Sequence, residues 1–300
     1  MQSRRGVTAY LDDIKHRPDF IYFDGGNSYP FCGHGTGRGL RADATPRVIA
    51  HLYNTSIRKN GGKLEAMAFT KGSEDARAVA VNLESRFPDG INRDQPWQTE
   101  VGLGEWFYLK GTFYDSGMVI HQMLEAVSGD GNYAISIPLT PAGELDPGGL
   151  KTLQDMGDWM DINGEGIHDS SAWDVWGEGN VVMKQGNLGP EHARTLYTSR
   201  DIRFTTENGS VYAYLKAWHE DGRVTIRSLA TPAGKVTDVA LLGCRERLDW
   251  KQTDEGLLVH LPAARPCLFA YGLKVTGGNL KTAKARSMPA SEPRSGAIIP

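Results

Sequence analysis

The chain has 300 residues, 40% of them hydrophobic, enough for a substantial core and, by length, about two domains. A formal charge of −3 argues against recognition of nucleic acid or of an anionic membrane by bulk electrostatics. No apolar run approaches the ~18 residues of a membrane span, and the 36 glycines, 7 Trp and 11 Tyr suit aromatic-lined, loop-rich surfaces.

Cys32, Cys244 and Cys267 have no metal-ligand spacing, and their odd number makes no disulfide framework, so free thiols are expected. Met1 to Arg5 are not followed by an apolar stretch, and no signal peptide is read there. Val7 to Ile14 carries apolar residues at helical spacing, and Pro18 ends it. Phe20 to Phe23 is a nearly all-apolar run, as expected of a strand buried on both faces of a parallel sheet. It stops on Asp24, Gly25 and Gly26, which fits either a simple turn or a carboxylate exposed at a strand end.

Beyond a glycine-rich loop, Thr45-Pro46 predicts a helix start, with the helix running to about Arg58. Strands are expected at 63–70 and 78–83, the second ending on Glu84. An aromatic-rich loop follows at 96–100, then a short strand at 106–109, a helix at 116–127, a strand at 133–137 and a helix at 150–160. Helices alternating with strands imply βα units and a parallel sheet. From about Asp201 the texture changes to short alternating runs punctuated by Asn-Gly and Asp-Gly, which predicts an antiparallel sandwich. The runs lie at 202–204, 211–215, 224–226, 236–242, 257–261 and 270–275. The expected organisation is an α/β region over 1–180, a β-sandwich over 181–279 and a disordered tail over 280–300.

Two strand ends thus carry carboxylates, Asp24 and Glu84, and the aromatic loop adds Glu100 and Glu105. Glycoside hydrolysis needs a carboxyl pair, ~5–5.5 Å apart in a retaining enzyme. Trp97, Trp106 and Trp173 could stack on a sugar or lie in the core. Lys71, at another strand end, could donate to a sugar hydroxyl or be solvated.

Taken together, Y-F-D-G-G at Tyr22, L-E-S-R-F-P at Leu83 and P-W-Q-T-E-V-G-L-G-E-W-F-Y at Pro96 form an ordered set of motifs. G-N-Y-A-I-S-I-P-L-T-P-A-G-E-L at Gly131, N-G-E-G-I-H at Asn163 and D-I-R-F-T at Asp201 complete it. Their order and spacing, over about residues 7–275, resemble the α-L-fucosidases of glycoside hydrolase family twenty-nine. The resemblance implies a (β/α)8-like barrel followed by a β-sandwich, and a retaining exo-hydrolase of fucosylated glycans that needs no metal or organic cofactor. It places the nucleophile on Asp24 and the acid/base on Glu84. Gln98 stands where other branches carry a glutamate, which favours Glu84 and leaves Glu100 in reserve. Tyr22, where the family often has Trp, and Lys71, Trp97 and Trp106 are the expected sugar contacts.

The same resemblance sets the nucleophile strand near the middle of a barrel, whereas about twenty residues precede Asp24 here. The chain is therefore expected to be N-terminally incomplete, a partial barrel that folds poorly or is inactive alone. The family suggests a secreted, periplasmic or lysosome-like compartment, and the sequence leaves the assembly state open. Two alternatives stand beside hydrolysis of fucosides: a non-catalytic carbohydrate-binding protein, and a barrel hydrolase for another deoxy or sulfated sugar.

Overall fold

The computed structural model describes residues 18–23, 44–71, 79–181, 183 and 195–281. The helix expected at 7–14, Asp24, the glycine-rich loop, Cys32 and the tail beyond 281 lie outside these residues.

The first half is a parallel sheet of five strands in the order β1-β2-β3-β4-β5. The strands are β1 (Phe20–Phe23), β2 (Met67–Lys71), β3 (Ala80–Asn82), β4 (Trp97–Gly102) and β5 (Asn132–Ser136). Strand order follows chain order without a reversal. That is the wall of a (β/α)8 barrel, whereas a doubly wound sheet would reverse at a switch point. Among the described residues, the far edges of β1 and β5 have no strand partner, so the barrel is partial.

Helix α1 (Ala44–Lys59) covers the outer face of β1 to β3, with Val48, Ile49, Leu52 and Tyr53 packed on Ile21, Phe23, Ala68 and Val81. It begins a residue before the predicted Thr45-Pro46 start and stops where Gly61 and Gly62 take positive φ. Helix α2 (Ser116–Ser128), capped by the Asp115 carboxylate on the Met118 N–H, is buried on most of its surface. One side meets β4 and β5, and the other meets the second domain. A helix apolar nearly all round belongs in an interior. Helix α3 (Pro147–Asn163) starts at an Asp146 cap with Pro147 in the first turn.

Two expectations fail between β3 and α2. The stretch expected to be an aromatic loop is strand β4, and no strand forms at 106–109. The reason is a period of two. Trp97, Thr99 and Val101 point to the buried outer face, while Gln98 and Glu100 alternate onto the inner one.

The second half is an antiparallel sandwich. One sheet runs β10-β13-β8-β7-β6 and the other β11-β12-β9. The strands are β6 (Ser171–Glu178), β7 (Ile202–Glu207), β8 (Ser210–Leu215), β9 (Arg223–Ile226), β10 (Lys235–Leu241), β11 (Asp249–Thr253), β12 (Gly256–His260) and β13 (Tyr271–Gly278). The sandwich therefore begins with β6, ahead of the expected boundary at 181, and its core reaches Leu280. Strand β8 is buried at every position because both its faces are covered. Val211, Ala213 and Leu215 meet the smaller sheet, and Tyr212 and Tyr214 meet α2 and α3. Cys244 and Cys267 are free thiols, and no helix among the described residues is long and apolar enough to cross a membrane.

The seam between the halves absorbs two of the sequence motifs. In N-G-E-G-I-H, Asn163 Oδ1 accepts the Gly272 N–H at 3.0 Å, its carbonyl accepts the Tyr214 hydroxyl at 3.0 Å, and the Gly166 carbonyl accepts Thr205 Oγ1 at 2.6 Å. A Cβ on Gly166 would stand 2.4 Å from Tyr212 Cγ, so the sandwich sits directly on that backbone. In D-I-R-F-T, Arg203 reaches into α2 and meets the buried Glu125 carboxylate at 2.8 Å, which Lys216 also contacts. Breaking such a buried pair from one side costs roughly 3–5 kcal/mol. These motifs join the two domains rather than form a catalytic site.

Candidate active site

Parallel register decides which side chains share the inner face. Lys71 pairs with Asn82 and Asn82 with Gln98, so these side chains stand in one row across β2, β3 and β4. Beyond β3 the ladder continues, with the Leu83 N–H donating to the Gln98 carbonyl at 2.8 Å and the Ser85 N–H to the Glu100 carbonyl at 2.9 Å. Glu84 and Glu100 are therefore level with each other, two residues past the Asn82–Gln98 pair, at the C-terminal side of the sheet. In barrel enzymes that is the side where chemistry is done.

The strand does not simply end at Glu84. Both Glu84 and Ser85 take left-handed backbone conformations, with φ of 43° and 58°. Consecutive non-glycine residues in that region are uncommon and tend to gather at functional sites. The turn aims the Glu84 carboxylate at Lys71, whose ammonium it meets at 2.8 Å. The Glu84 side chain remains one-third exposed, at 33%, so a ligand can still reach it.

Asn82 ties the rest together. Its Oδ1 accepts the Glu84 N–H at 2.9 Å, and its Nδ2 donates to the Tyr22 hydroxyl at 2.6 Å and to Glu100 Oε2 at 2.8 Å. The side chain is buried, so each of these bonds replaces one to water. Burial first, and then the Glu100 carboxylate, push the Tyr22 phenol up to about 12, so it stays protonated at any physiological pH. In the sequence Asn82 belongs to none of the candidate site residues. The one available signal was a polar residue inside the apolar run A-V-A-V-N-L.

Tyr22, Lys71, Glu84 and Glu100 are thus brought together on one surface. Asp24 follows Phe23 directly in sequence and lies outside the described residues. Trp97 is not on that surface. It is 1% exposed on the opposite face of β4, its Nε1 donating to the Asn92 carbonyl at 3.1 Å and its ring lying against Gly131. No ring face is left for a sugar, because strand alternation turns this residue into the core. Trp106 is half-buried in the loop after β4, and its neighbour Phe107 is the exposed ring there, at 81%. Trp173 is also core, packed edge-on against Phe204. No cluster of three metal-ligating side chains occurs among the described residues.

The family model described as Alpha-L-fucosidase matches residues 10–165, and that of the Alpha-L-fucosidase C-terminal domain matches residues 197–276. The chain belongs to the α-L-fucosidase family. It is 31% identical over 279 residues to the tissue α-L-fucosidase of Bos taurus, covering 88% of this chain and 52% of the relative. Identity to the Rattus norvegicus tissue α-L-fucosidase is 30% over 277 residues, covering 88% and 53%. The chain thus spans about half the length of the curated fucosidases it matches. A Thermotoga maritima α-fucosidase, solved in complex with fucose, superposes with a TM-score of 0.65 at 16% identity, covering 92% of this chain and 56% of that one. This likeness supports the fold, a partial fucosidase barrel followed by the family's sandwich.

Proposed function

We propose that the inner face of the parallel sheet is a fucoside-processing site and that the protein acts on terminal α-L-fucosyl residues of glycans as a retaining exo-glycosidase. The observation that carries this reading is the arrangement around Asn82, which gathers two carboxylates and a phenol at the C-terminal side of the sheet, beside the strand that leads into Asp24. Asp24 attacks the anomeric carbon and forms a β-fucosyl ester, while Glu84 protonates the departing oxygen. Water deprotonated by Glu84 then displaces the ester, and two inversions give net retention. Lys71 holds Glu84 in place, Tyr22 presents a neutral hydroxyl to the sugar, and Glu100 is the reserve acid/base. Trp106 and Phe107 border the same end of the sheet.

The experiment is hydrolysis of 4-nitrophenyl α-L-fucoside by the chain, whose turnover would refute the expected inactivity of the chain alone, and by its Glu84→Gln and Glu100→Gln variants. Loss of ~10²–10⁴-fold in Glu84→Gln with a smaller effect in Glu100→Gln supports the assignment. The reverse pattern moves the proton transfer to Glu100. A second reading, sugar binding without hydrolysis, is favoured by the open edge of β1, which leaves the inner face without a wall on that side among the described residues. Calorimetric binding of L-fucose without release of nitrophenol would select it.

A further inference from the structure

A groove of about 1040 Å³ runs along one side of the sandwich, between β6 and β9, the edge strands of its two sheets. One wall is the end of β6, Gly177 to Val181, and the other is β9 with the residues that follow it. The first wall is built rather than loose. Asp201, fully buried, accepts the Val181 N–H at 3.1 Å and both the N–H and the hydroxyl of Thr198 at 2.7 Å. Gly179 has a φ of 101°, and a Cβ there would lie 2.2 Å from Asp201 Oδ1, so the wall closes on the carboxylate only with glycine. Glu178 straps the two sheets by accepting the N–H groups of Arg227 at 3.2 Å and Ser228 at 2.6 Å.

Into this groove the fold gathers arginines. Arg200, Arg223 and Arg227 line it, and none has a side-chain partner among the described residues. Arg203 and Arg265 of the same sandwich, by contrast, are paired with Glu125 and Glu220. Arg223 and Thr225 occupy the outward positions of β9, whose burial alternates strictly. Two acids share the lining. Glu178 is occupied by its two backbone donors, and Glu255 sits on the β11–β12 turn. Asp221 lies nearby and accepts the Arg223 N–H at 3.1 Å. His219 also lines the groove, and its Nε2 is closed off from solvent with no hydrogen-bond partner among the described residues, where buried polar atoms are normally satisfied.

We propose that this groove is a second carbohydrate site, one that takes an anionic sugar of a glycan chain by its sulfate or carboxylate. Guanidinium groups grip planar and tetrahedral oxyanions through paired N–H donors, and they do so best when no internal acid competes. The groove is just above the ~300–1,000 Å³ range of small-molecule sites, far more than an ion needs, and Ser199 and Ser228 offer hydroxyls for sugar oxygens. The choice of a sugar as carrier rests on the glycosidase reading, whereas the anion site stands on the groove itself. Its role would be to hold a charged polysaccharide while the parallel sheet works on a fucosyl branch.

Calorimetric titration of the full chain with three probes tests this: a sulfated fuco-oligosaccharide, an oligogalacturonate and a neutral fucosylated oligosaccharide. One of the two anionic probes is expected to bind more tightly than the neutral one and to weaken with added salt, and which one binds identifies the oxyanion. The double variant Arg223→Ala/Arg227→Ala should lose about tenfold or more in affinity with an unchanged urea midpoint. Arg245→Ala/Arg247→Ala, exposed but outside the groove, should stay within about twofold. Equal binding of all probes, binding of neither anionic probe, or an equal loss in both double variants would overturn the proposal. Hydrolysis is not read here, so failure of this site and failure of the fucosidase assignment are separate results.

Discussion

The Asn82 amide donates to the Glu100 carboxylate at 2.8 Å across neighbouring strands of the parallel sheet. The same amide holds Tyr22 and the Glu84 backbone, so one buried side chain sets the spacing of the proposed site. Replacing Asn82 with Asp would remove a donor and place a second carboxylate against Glu100. The expected loss is roughly 2–4 kcal/mol at pH 7. Because the like charges resist ionising together, the loss should shrink as the pH is lowered to 4.5. Urea denaturation at the two pH values measures both. An equal loss at each pH would mean that packing, and not charge, is what Asn82 supplies.

The Lys71–Glu84 pair separates stability from function. Both side chains are partly exposed, at 21% and 33%, so the pair contributes little to folding. Lys71→Gln should change the unfolding free energy by less than about 1 kcal/mol, yet lower turnover of an aryl fucoside by releasing Glu84 from its orientation. A parallel loss of stability and activity would assign Lys71 to the scaffold.

Gly104, in the G-L-G-E part of the third motif, has a φ of 97°, and an added Cβ would lie 1.6 Å from the Thr112 carbonyl oxygen. Neither backbone can yield without undoing the loop after β4. Gly104→Ala is expected to cost more than about 3 kcal/mol or to prevent folding. Gly143→Ala, also at positive φ but with open space around it, should cost only about 1 kcal/mol. Thermal denaturation of the two variants compares them.

His121 sits in the seam, where burial first and the Lys216 ammonium second lower it from 6.5 to about 4. Its Nε2 lies 3.1 Å from the Phe269 carbonyl, and its ring meets Tyr197 edge-on. The folded protein keeps this imidazole neutral where the unfolded chain would protonate it. Stability from this group is therefore complete above pH 6.5 and falls as the pH drops towards 4. The loss should approach roughly 3 kcal/mol at the lower end. Urea midpoints from pH 7 to pH 4.5 should fall in the wild type and flatten in His121→Gln. Glu125 adds to the acid loss at lower pH. Burial alone would raise its carboxyl, but Lys216 and Arg203 outweigh that and hold it below its ordinary value.

Much of this architecture is legible in the chain. Phe20 to Phe23, the helix around Val48 to Leu52 and the turn-punctuated runs after Asp201 announce themselves by period and by breakers. Strand β4 was concealed because Pro96 and the glycines beyond it look like a loop, although Trp97, Thr99 and Val101 alternate with Gln98 and Glu100. Strand β11, D-W-K-Q-T, is too polar to read as a strand, and it forms by pairing with β12. Position along a strand also does not reveal which face a residue takes, and so Trp97 passed for a sugar contact when it is core. Asn82 was invisible for a different reason. Its importance lies in three partners, one of them sixty positions away, that only the folded sheet brings within reach.

The most direct test of the account is the anomeric product of azide rescue. The Asp24→Ala chain, given an activated aryl α-L-fucoside and sodium azide, should regain turnover over the unrescued variant and release β-fucosyl azide, identified by proton NMR. Full activity of Asp24→Ala without azide, with α-fucose as its product, would contradict the assignment of Asp24 as nucleophile and with it the site proposed on this sheet.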